Sequence, residues 1–91
     1  MIVIFTKHDC AKCEWLKQRV KPSKDVLFYT IDDEEHSQDE VELASEALAY
    51  VMWHEKELLT PIAVVLPEGE VITSAIQICL LYTSPSPRDR G

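Results

Sequence analysis

Two cysteines three positions apart, Cys10 and Cys13, are the residues of this 91-residue sequence whose types and spacing are best suited to a chemical reaction. They follow a four-residue apolar run and precede a helical pattern, so they lie where a strand gives way to a helix. The backbone N–H groups and the dipole of a helix N-terminus favour a nearby anion, and Lys7 and Lys12 add positive charge. The pair is therefore placed for thiol–disulfide chemistry. Cys10 is the expected attacking thiolate, and Cys13, about one turn further on and more shielded, is the expected resolving thiol.

The elements that would position this pair follow from hydrophobic patterning, which predicts the order β-α-β-α-β-β-α. The predicted strands cover residues 2–6, 26–31, 62–66 and 70–73, and the three helices begin near residues 10, 38 and 75. Asp9 or Cys10 is expected to cap the first helix, and Ser74 the third. Ser37 followed by Glu40 is a capping-box pattern for the second helix. A strand, a helix and a strand within about 30 residues indicate a right-handed βαβ unit with parallel strands.

Apolar spacing predicts which helix faces pack against the sheet. Leu16 and Val20, four residues apart, mark the inward face of the first helix, which Pro22 and Ser23 should end. The second helix is predicted to end between residues 54 and 58 and to bury a broad apolar stripe. This stripe consists of Val41, Ala44, Leu48, Val51 and Met52, widened by Leu43, Ala47 and Tyr50.

Composition and charge argue against several classes of function. With 91 residues, 46% of them apolar, the sequence predicts a single domain with a small core. No apolar run approaches the roughly 18 residues of a membrane span. We therefore expect a cytoplasmic domain without a signal peptide. An odd number of cysteines, three, argues against a secreted disulfide framework. The formal net charge is −7, yet residues 1–24 hold six Lys or Arg against two acids, whereas residues 25–57 hold eleven acids against one Lys. The acidic half speaks against nucleic-acid binding. The basic part around the cysteines either steers acidic partners or is an ordinary solvated surface.

The end of the sequence has an unusual pattern. Residues 79–89 resemble the in-frame translation of a transposase-based sequencing adapter. A segment of this origin carries no information about the natural fold. We therefore expect one natural domain over residues 1–78 with its C-terminal helix truncated or replaced, and a non-native tail over residues 79–91 that is disordered from about residue 84.

The order of elements, with a CxxC motif after the first strand and Thr60-Pro61 before the third, resembles the thioredoxin fold. Over residues 1 to about 78 it is most similar to a small glutaredoxin or glutaredoxin-like redoxin. The resemblance implies an α/β architecture with a four-stranded mixed sheet flanked by helices. It also implies a dithiol–disulfide oxidoreductase in which Cys10 is the nucleophile and Cys13 the resolving cysteine.

The resemblance implies binding residues as well. Lys7 matches a lysine that helps to hold the glutathione carboxylate, and Lys12 is expected in the same site, where it would stabilise the thiolate. Pro61 matches a cis-proline, and the backbone of Thr60 would pair with the substrate backbone. The expected partners are disulfide-containing proteins and glutathione, and no bound cofactor is expected. The expected reductant is glutathione or a flavin-dependent thioredoxin reductase. The chain is expected to be a monomer that binds neither nucleic acid nor membranes.

The sequence also departs from the glutaredoxin pattern. Ala11 and Lys12 stand where the dithiol motif usually has Pro and Tyr, and Thr73-Ser74 stands where a glycine pair is expected. Because glycines let a backbone approach a ligand closely, their replacement weakens the expectation of glutathione binding.

Two other classes of function stay open on the sequence alone. The first is a metal-binding module, for which CxxC supplies two of the four ligands of structural zinc. His8, His36 and His54 form no second closely spaced pair, and they are expected at loop or helix surfaces. The second is a redox-inactive interaction domain on the same fold, since a fold does not fix a function. Trp15 and Trp53 are expected to be packed or semi-exposed helix residues.

Overall fold

The structure, a computed structural model, describes residues 1–22, 24–55 and 60–83. Its elements are β1 Ile2–Thr6, α1 Ala11–Arg19, β2 Val26–Thr30, α2 Gln38–Glu55, β3 Ile62–Val65, β4 Glu70–Ile72 and α3 Ala75–Thr83. The predicted order of elements is confirmed. The predicted disordered tail from residue 84, the stop at Ser23 and the last part of the predicted range for the end of α2 lie outside the described residues.

The four strands form one mixed sheet in the order β2-β1-β3-β4. Strand β1 pairs in parallel with β2, from Ile2 opposite Val26 to Thr6 opposite Thr30. It pairs in the antiparallel sense with β3, and β3 does so with β4. This mixed sheet flanked by helices confirms the predicted α/β, thioredoxin-like fold.

Each face of the sheet carries its own hydrophobic core, because side chains alternate along a strand. On one face, Val3 and Phe5 of β1 pack with the buried side of α2, including Val51. On the other face, Ile4 packs with residues of α1 and α3, including Leu16 and Ile78. The prediction that Leu16 and Val20 form the inward side of α1 is confirmed, since both are fully buried.

The buried side of α2 differs from the prediction. Its buried residues are Ala44, Ala47 and Val51, whereas three members of the predicted stripe are exposed. These are Val41, Leu48 and Met52, with exposed fractions of 38%, 36% and 45%. The 18-residue helix carries apolar residues on more of its circumference than one sheet face can cover. The i, i+3, i+7 set beginning at Ala44 is the one that contacts the sheet.

The predicted helix caps are present. Cys10 is the N-cap of α1, so the structure decides between Cys10 and Asp9. At α2 the Glu40 N–H donates to Ser37 Oγ, and the Ser37 N–H donates to Glu40 Oε1, each over 3.2 Å. At α3 the Gln77 N–H donates to Ser74 Oγ over 3.3 Å. The capping box and the Ser74 cap are therefore confirmed.

Helix α3 continues through the predicted domain boundary at residue 78 as far as Thr83. Ile78 is buried, whereas Ile76 and Leu80 are 64% and 58% exposed. The origin of residues 79–89 stays a prediction. None of the described helices is long and apolar enough to cross a membrane.

Candidate functional site: the Cys10–Cys13 disulfide and its groove

Cys10 and Cys13 form a disulfide at the junction between β1 and α1, with 5.2 Å between their Cα atoms. Cys10 has an extended backbone as the N-cap residue, and Cys13 lies in the first turn of the helix. The side chain of Cys13 is fully buried, whereas Cys10 is half-buried. Cys10 is therefore the sulfur that a second molecule can reach. This difference in burial agrees with the expected order of attack and resolution.

Two hydrogen-bond donors converge on the Cys10 sulfur. The backbone N–H of Cys13 donates to Cys10 Sγ over 3.2 Å, as an N-cap interaction. The hydroxyl of Thr60 also donates to Cys10 Sγ, over 3.9 Å. Donors that point at a sulfur stabilise its anionic form, which is the nucleophile in disulfide exchange. The sequence suggested a backbone role for Thr60, and the structure adds this hydroxyl contact.

The peptide bond between Thr60 and Pro61 is cis, as the resemblance implies. Pro61 is buried directly before β3. Because β3 runs antiparallel to β1, the start of β3 lies at the same edge of the sheet as the end of β1. This topology places Thr60 against a cysteine 50 positions earlier in the chain.

The loop before Cys10 is held by Asp32, a residue that sequence reasoning missed. The His8 N–H donates to both carboxylate oxygens of Asp32, over 3.1 and 3.2 Å. The ring Nδ1 of His8 is 3.6 Å from the same carboxylate. Strands β1 and β2 are parallel, so the residues that follow them meet at one edge of the sheet. An acid just after the second strand of a βαβ unit was the available signal.

A groove of about 860 Å³ adjoins the disulfide. Its lining residues come from α1, from the turn before β3 and from the start of α3: Lys12, Trp15, Thr60, Pro61, Thr73, Ser74, Ala75 and Ile76. The structure thus brings Lys12, Thr60 and Pro61 together on this groove, and their role in substrate binding stays a prediction. Lys7 is exposed in the loop after β1 and does not line this groove.

The described part of the groove lining combines a positive charge with apolar surface. Lys12 is the charged residue among the lining residues that the structure describes, and the half-buried ring of Trp15 and the exposed Ile76 supply apolar contacts. The guanidinium of Arg19 lies over the Trp15 ring, 4.4 Å from the ring centroid, and orients it. Thr73 and Ser74 carry side chains where a glycine pair would leave the backbone open.

The three histidines belong to different segments: His8 follows β1, His36 precedes α2 and His54 lies in α2. His8 and His54 are exposed, as predicted. The prediction of a surface position for His36 is wrong. Its ring stacks on Tyr29 at 3.9 Å between centroids, and its Nε2 is 3.0 Å from the carbonyl oxygen of Thr30. Among the residues that the structure describes, no group of three or more His, Cys, Asp or Glu side chains is arranged to hold a metal ion.

Comparisons with known proteins concern the fold. No protein-family profile and no curated protein matches the sequence. Among solved structures, the chain is similar to the crystal structure of the thioredoxin-like protein BC3987, at 20% identity and a TM-score of 0.44. The similarity covers 88% of this chain and 100% of that chain. The chemistry of the site is therefore inferred from its own residues.

Proposed function

We propose that this chain is a glutaredoxin-like thiol–disulfide oxidoreductase that reduces protein disulfides through Cys10 and Cys13. One observation carries the proposal. A half-buried sulfur at a helix N-cap receives two hydrogen-bond donors and is bonded to a fully buried second sulfur. Such a pair can exchange two electrons with an external disulfide.

The reaction begins with the reduced pair. The Cys10 thiolate attacks one sulfur of the substrate disulfide, and a Cys10–substrate bond forms as the substrate S–S bond breaks. The leaving substrate sulfur takes up a proton. Cys13 then loses its proton and attacks Cys10 Sγ, which expels the second substrate thiolate. The products are a Cys10–Cys13 disulfide and a substrate dithiol, so two electrons pass from the protein to the substrate.

The surroundings of Cys10 support both steps. The Cys13 N–H and the Thr60 hydroxyl stabilise the Cys10 thiolate before attack and whenever it leaves. We expect Lys12 to add to this effect, because it lies on the adjoining groove and carries a positive charge. Burial keeps the Cys13 sulfur away from solvent, so it meets external disulfides less readily than it meets Cys10.

The groove favours a polypeptide substrate over glutathione. Trp15, Pro61 and Ile76 offer apolar contact to side chains beside a substrate cysteine. The side chains of Thr73 and Ser74 hinder a small peptide such as glutathione from coming close to the protein backbone at these positions. Two molecules of glutathione, or a flavin-dependent thioredoxin reductase, would return the disulfide to the dithiol by supplying two electrons.

The test is a coupled assay with a protein disulfide as substrate. NADPH consumption is followed with glutathione and glutathione reductase, and separately with thioredoxin reductase. The reaction uses a Cys79→Ser background, so that one dithiol remains. We expect turnover in at least one arm, loss of turnover in Cys10→Ser, and a covalent substrate adduct in Cys13→Ser that is visible by mass spectrometry. Absence of turnover in both arms would favour a redox-inactive interaction domain, and equal activity of the two variants would refute the assigned roles.

A further inference from the structure

A second cleft lies at the C-terminal half of α2, against the turn between β3 and β4. It has a volume of about 350 Å³ and is lined by Ala49, Tyr50, Trp53, His54, Glu68 and Gly69. We call it the tryptophan cleft. Its size is at the low end of the range of about 300–1,000 Å³ for ligand pockets, which fits one or two side chains better than a cofactor.

The most exposed large apolar side chain among the described residues belongs to this cleft. Trp53 is 81% exposed, although a ring of this size is usually largely buried. Trp15, the other tryptophan, already has the guanidinium of Arg19 over its ring. In the part of the chain that the structure describes, no cation lies over Trp53. A cation of a partner can therefore form with the Trp53 ring the cation–π contact that Arg19 forms with the Trp15 ring.

The floor of the cleft is firmly packed. Gly69 has a positive φ of 85°, and a Cβ atom at this position would collide with the ring of Tyr50. The turn therefore lies directly on Tyr50 and sets the spacing between α2 and Glu68. The cleft therefore has a packed floor, formed where Gly69 meets the Tyr50 ring.

The charge around the cleft decides which partner fits it. Glu68 lines the cleft itself. Asp39, Glu42 and Glu46 continue from Trp53 along the same exposed side of α2, because positions 39, 42, 46, 49 and 53 follow i, i+3, i+7, i+10 and i+14 spacing. We call these three acids the acidic ridge. Residues 25–55 contain ten acids and no Lys or Arg, and the ion pairs among the described residues involve neither the ridge nor Glu68.

We propose that the tryptophan cleft and the acidic ridge form a docking surface for a basic polypeptide segment of a partner protein. An arginine of the segment enters the cleft, stacks on Trp53 and faces Glu68, because a guanidinium suits both an aromatic face and a carboxylate. Further basic side chains follow the acidic ridge. From position 39 to 53 the helix rises by about 21 Å, which an extended segment of about seven residues spans.

The surface is separate from the redox site. Helix α2 packs on the sheet face opposite to α1 and α3. The β3–β4 turn follows the end of β3, whereas the disulfide adjoins its start. A segment bound at the tryptophan cleft leaves Cys10 accessible, so the proposal does not depend on the redox activity.

The test measures binding of the labelled peptide acetyl-Arg-Ser-Lys-Ser-Lys-Ser-Lys-amide to the full chain by fluorescence anisotropy at low and high salt. The matched control peptide has Glu in place of every basic residue. We expect saturable binding of the basic peptide that weakens with salt, and no binding of the acidic one. Chemical-shift changes should centre on the indole N–H of Trp53 and the amide of Gly69.

Variants separate the contributions of the cleft and of the ridge. Trp53→Ala should weaken binding about fivefold, and Glu68→Gln about threefold. Because both residues are exposed, the variants should keep the wild-type melting temperature. Leu80→Ala removes an exposed apolar side chain of α3, on the other face of the sheet and outside the groove beside the disulfide. Glu34→Gln removes one acid outside the surface. Both variants should leave binding unchanged.

Three results would overturn the proposal. The first is the absence of saturable binding at low salt. The second is non-specific binding, shown either by Trp53→Ala and Glu68→Gln variants that bind as the wild type does or by equal binding of the acidic peptide. The third is a dimer in sedimentation that excludes the peptide and that Trp53→Ala dissociates, because the occupant of the surface would then be a second copy of the chain.

Discussion

The Thr60 hydroxyl provides a direct test of how the site stabilises a sulfur anion. It donates to Cys10 Sγ over 3.9 Å, which is at the long limit for a hydrogen bond to sulfur. Thr60→Val removes this donor and keeps the shape of the side chain. Thr60→Ser is the matched control, because it keeps the hydroxyl and removes only a methyl group.

The expected magnitude follows from the distance. A hydrogen bond to a charged group contributes about 1.5–3 kcal/mol, and for this long contact we take roughly half of the lower value, about 0.7 kcal/mol. Since about 1.36 kcal/mol corresponds to one pH unit, Thr60→Val should raise the pH at which Cys10 becomes reactive by about 0.5 unit. Loss of thiolate stabilisation also disfavours the reduced form. The reduction potential should therefore become more negative by about 15 mV, at about 30 mV for each 1.4 kcal/mol.

The assay is alkylation of the reduced protein with iodoacetamide over a range of pH, with the modified Cys10 peptide quantified by mass spectrometry. Peptide-level quantification separates Cys10 from the buried Cys13 and from Cys79. Redox equilibration against glutathione buffers gives the change in potential independently. The reasoning is refuted if Thr60→Val leaves the midpoint unchanged, or if Thr60→Ser raises it as much as Thr60→Val does.

Further predictions concern the groove and the fold. Lys12→Ala should also raise the midpoint of Cys10 alkylation, and Lys12→Arg should not, because only the alanine removes the charge. Asp32→Asn should lower the free energy of unfolding by about 1 kcal/mol in urea titrations, through its weaker contact with His8, and an unchanged value would contradict that role. Leu16→Ala leaves a cavity at a fully buried site and should lower the free energy of unfolding, measured in urea titrations, by about 2–5 kcal/mol. Ser37→Ala should cost about 1 kcal/mol, or about 4–8 °C in Tm, and Ser37→Gly only a few tenths of that energy.

The features that the sequence predicted correctly are those set by neighbours in the chain. The capping box of Ser37 and Glu40 depends on two residues three positions apart. The strand–helix junction predicted a cap at Asp9 or Cys10, and the structure places it at Cys10. The parallel pairing of β1 and β2 follows from the length of the βαβ unit. In each case the physical cause acts over a few residues or follows from a general rule of connection.

The features that the sequence could not predict depend on contacts between distant segments. Apolar spacing alone does not say which part of the broad apolar stripe of α2 meets the sheet, so Leu48 was assigned to the core together with Ala47, although of these two only Ala47 is buried. No role was predicted for Asp32, because the carboxylate that accepts from the His8 N–H lies 24 positions further along the chain. The tryptophan cleft needs the β3–β4 turn to reach Trp53, which no local pattern indicates.

The strand directions explain why the chemistry gathers at one edge of the sheet. Strand β1 delivers Cys10 at its carboxyl end, and the parallel β2 delivers Asp32 at the same edge. The antiparallel β3 begins at that edge, so Thr60 arrives there as well. A parallel β3 would have placed Thr60 at the opposite edge, away from the sulfur. Cys10 can therefore receive a donor from its own helix and one from a distant segment because the sheet is mixed. If the proposed function holds, substitutions that disturb the pairing of β1 with β3 should slow disulfide exchange even where both cysteines remain.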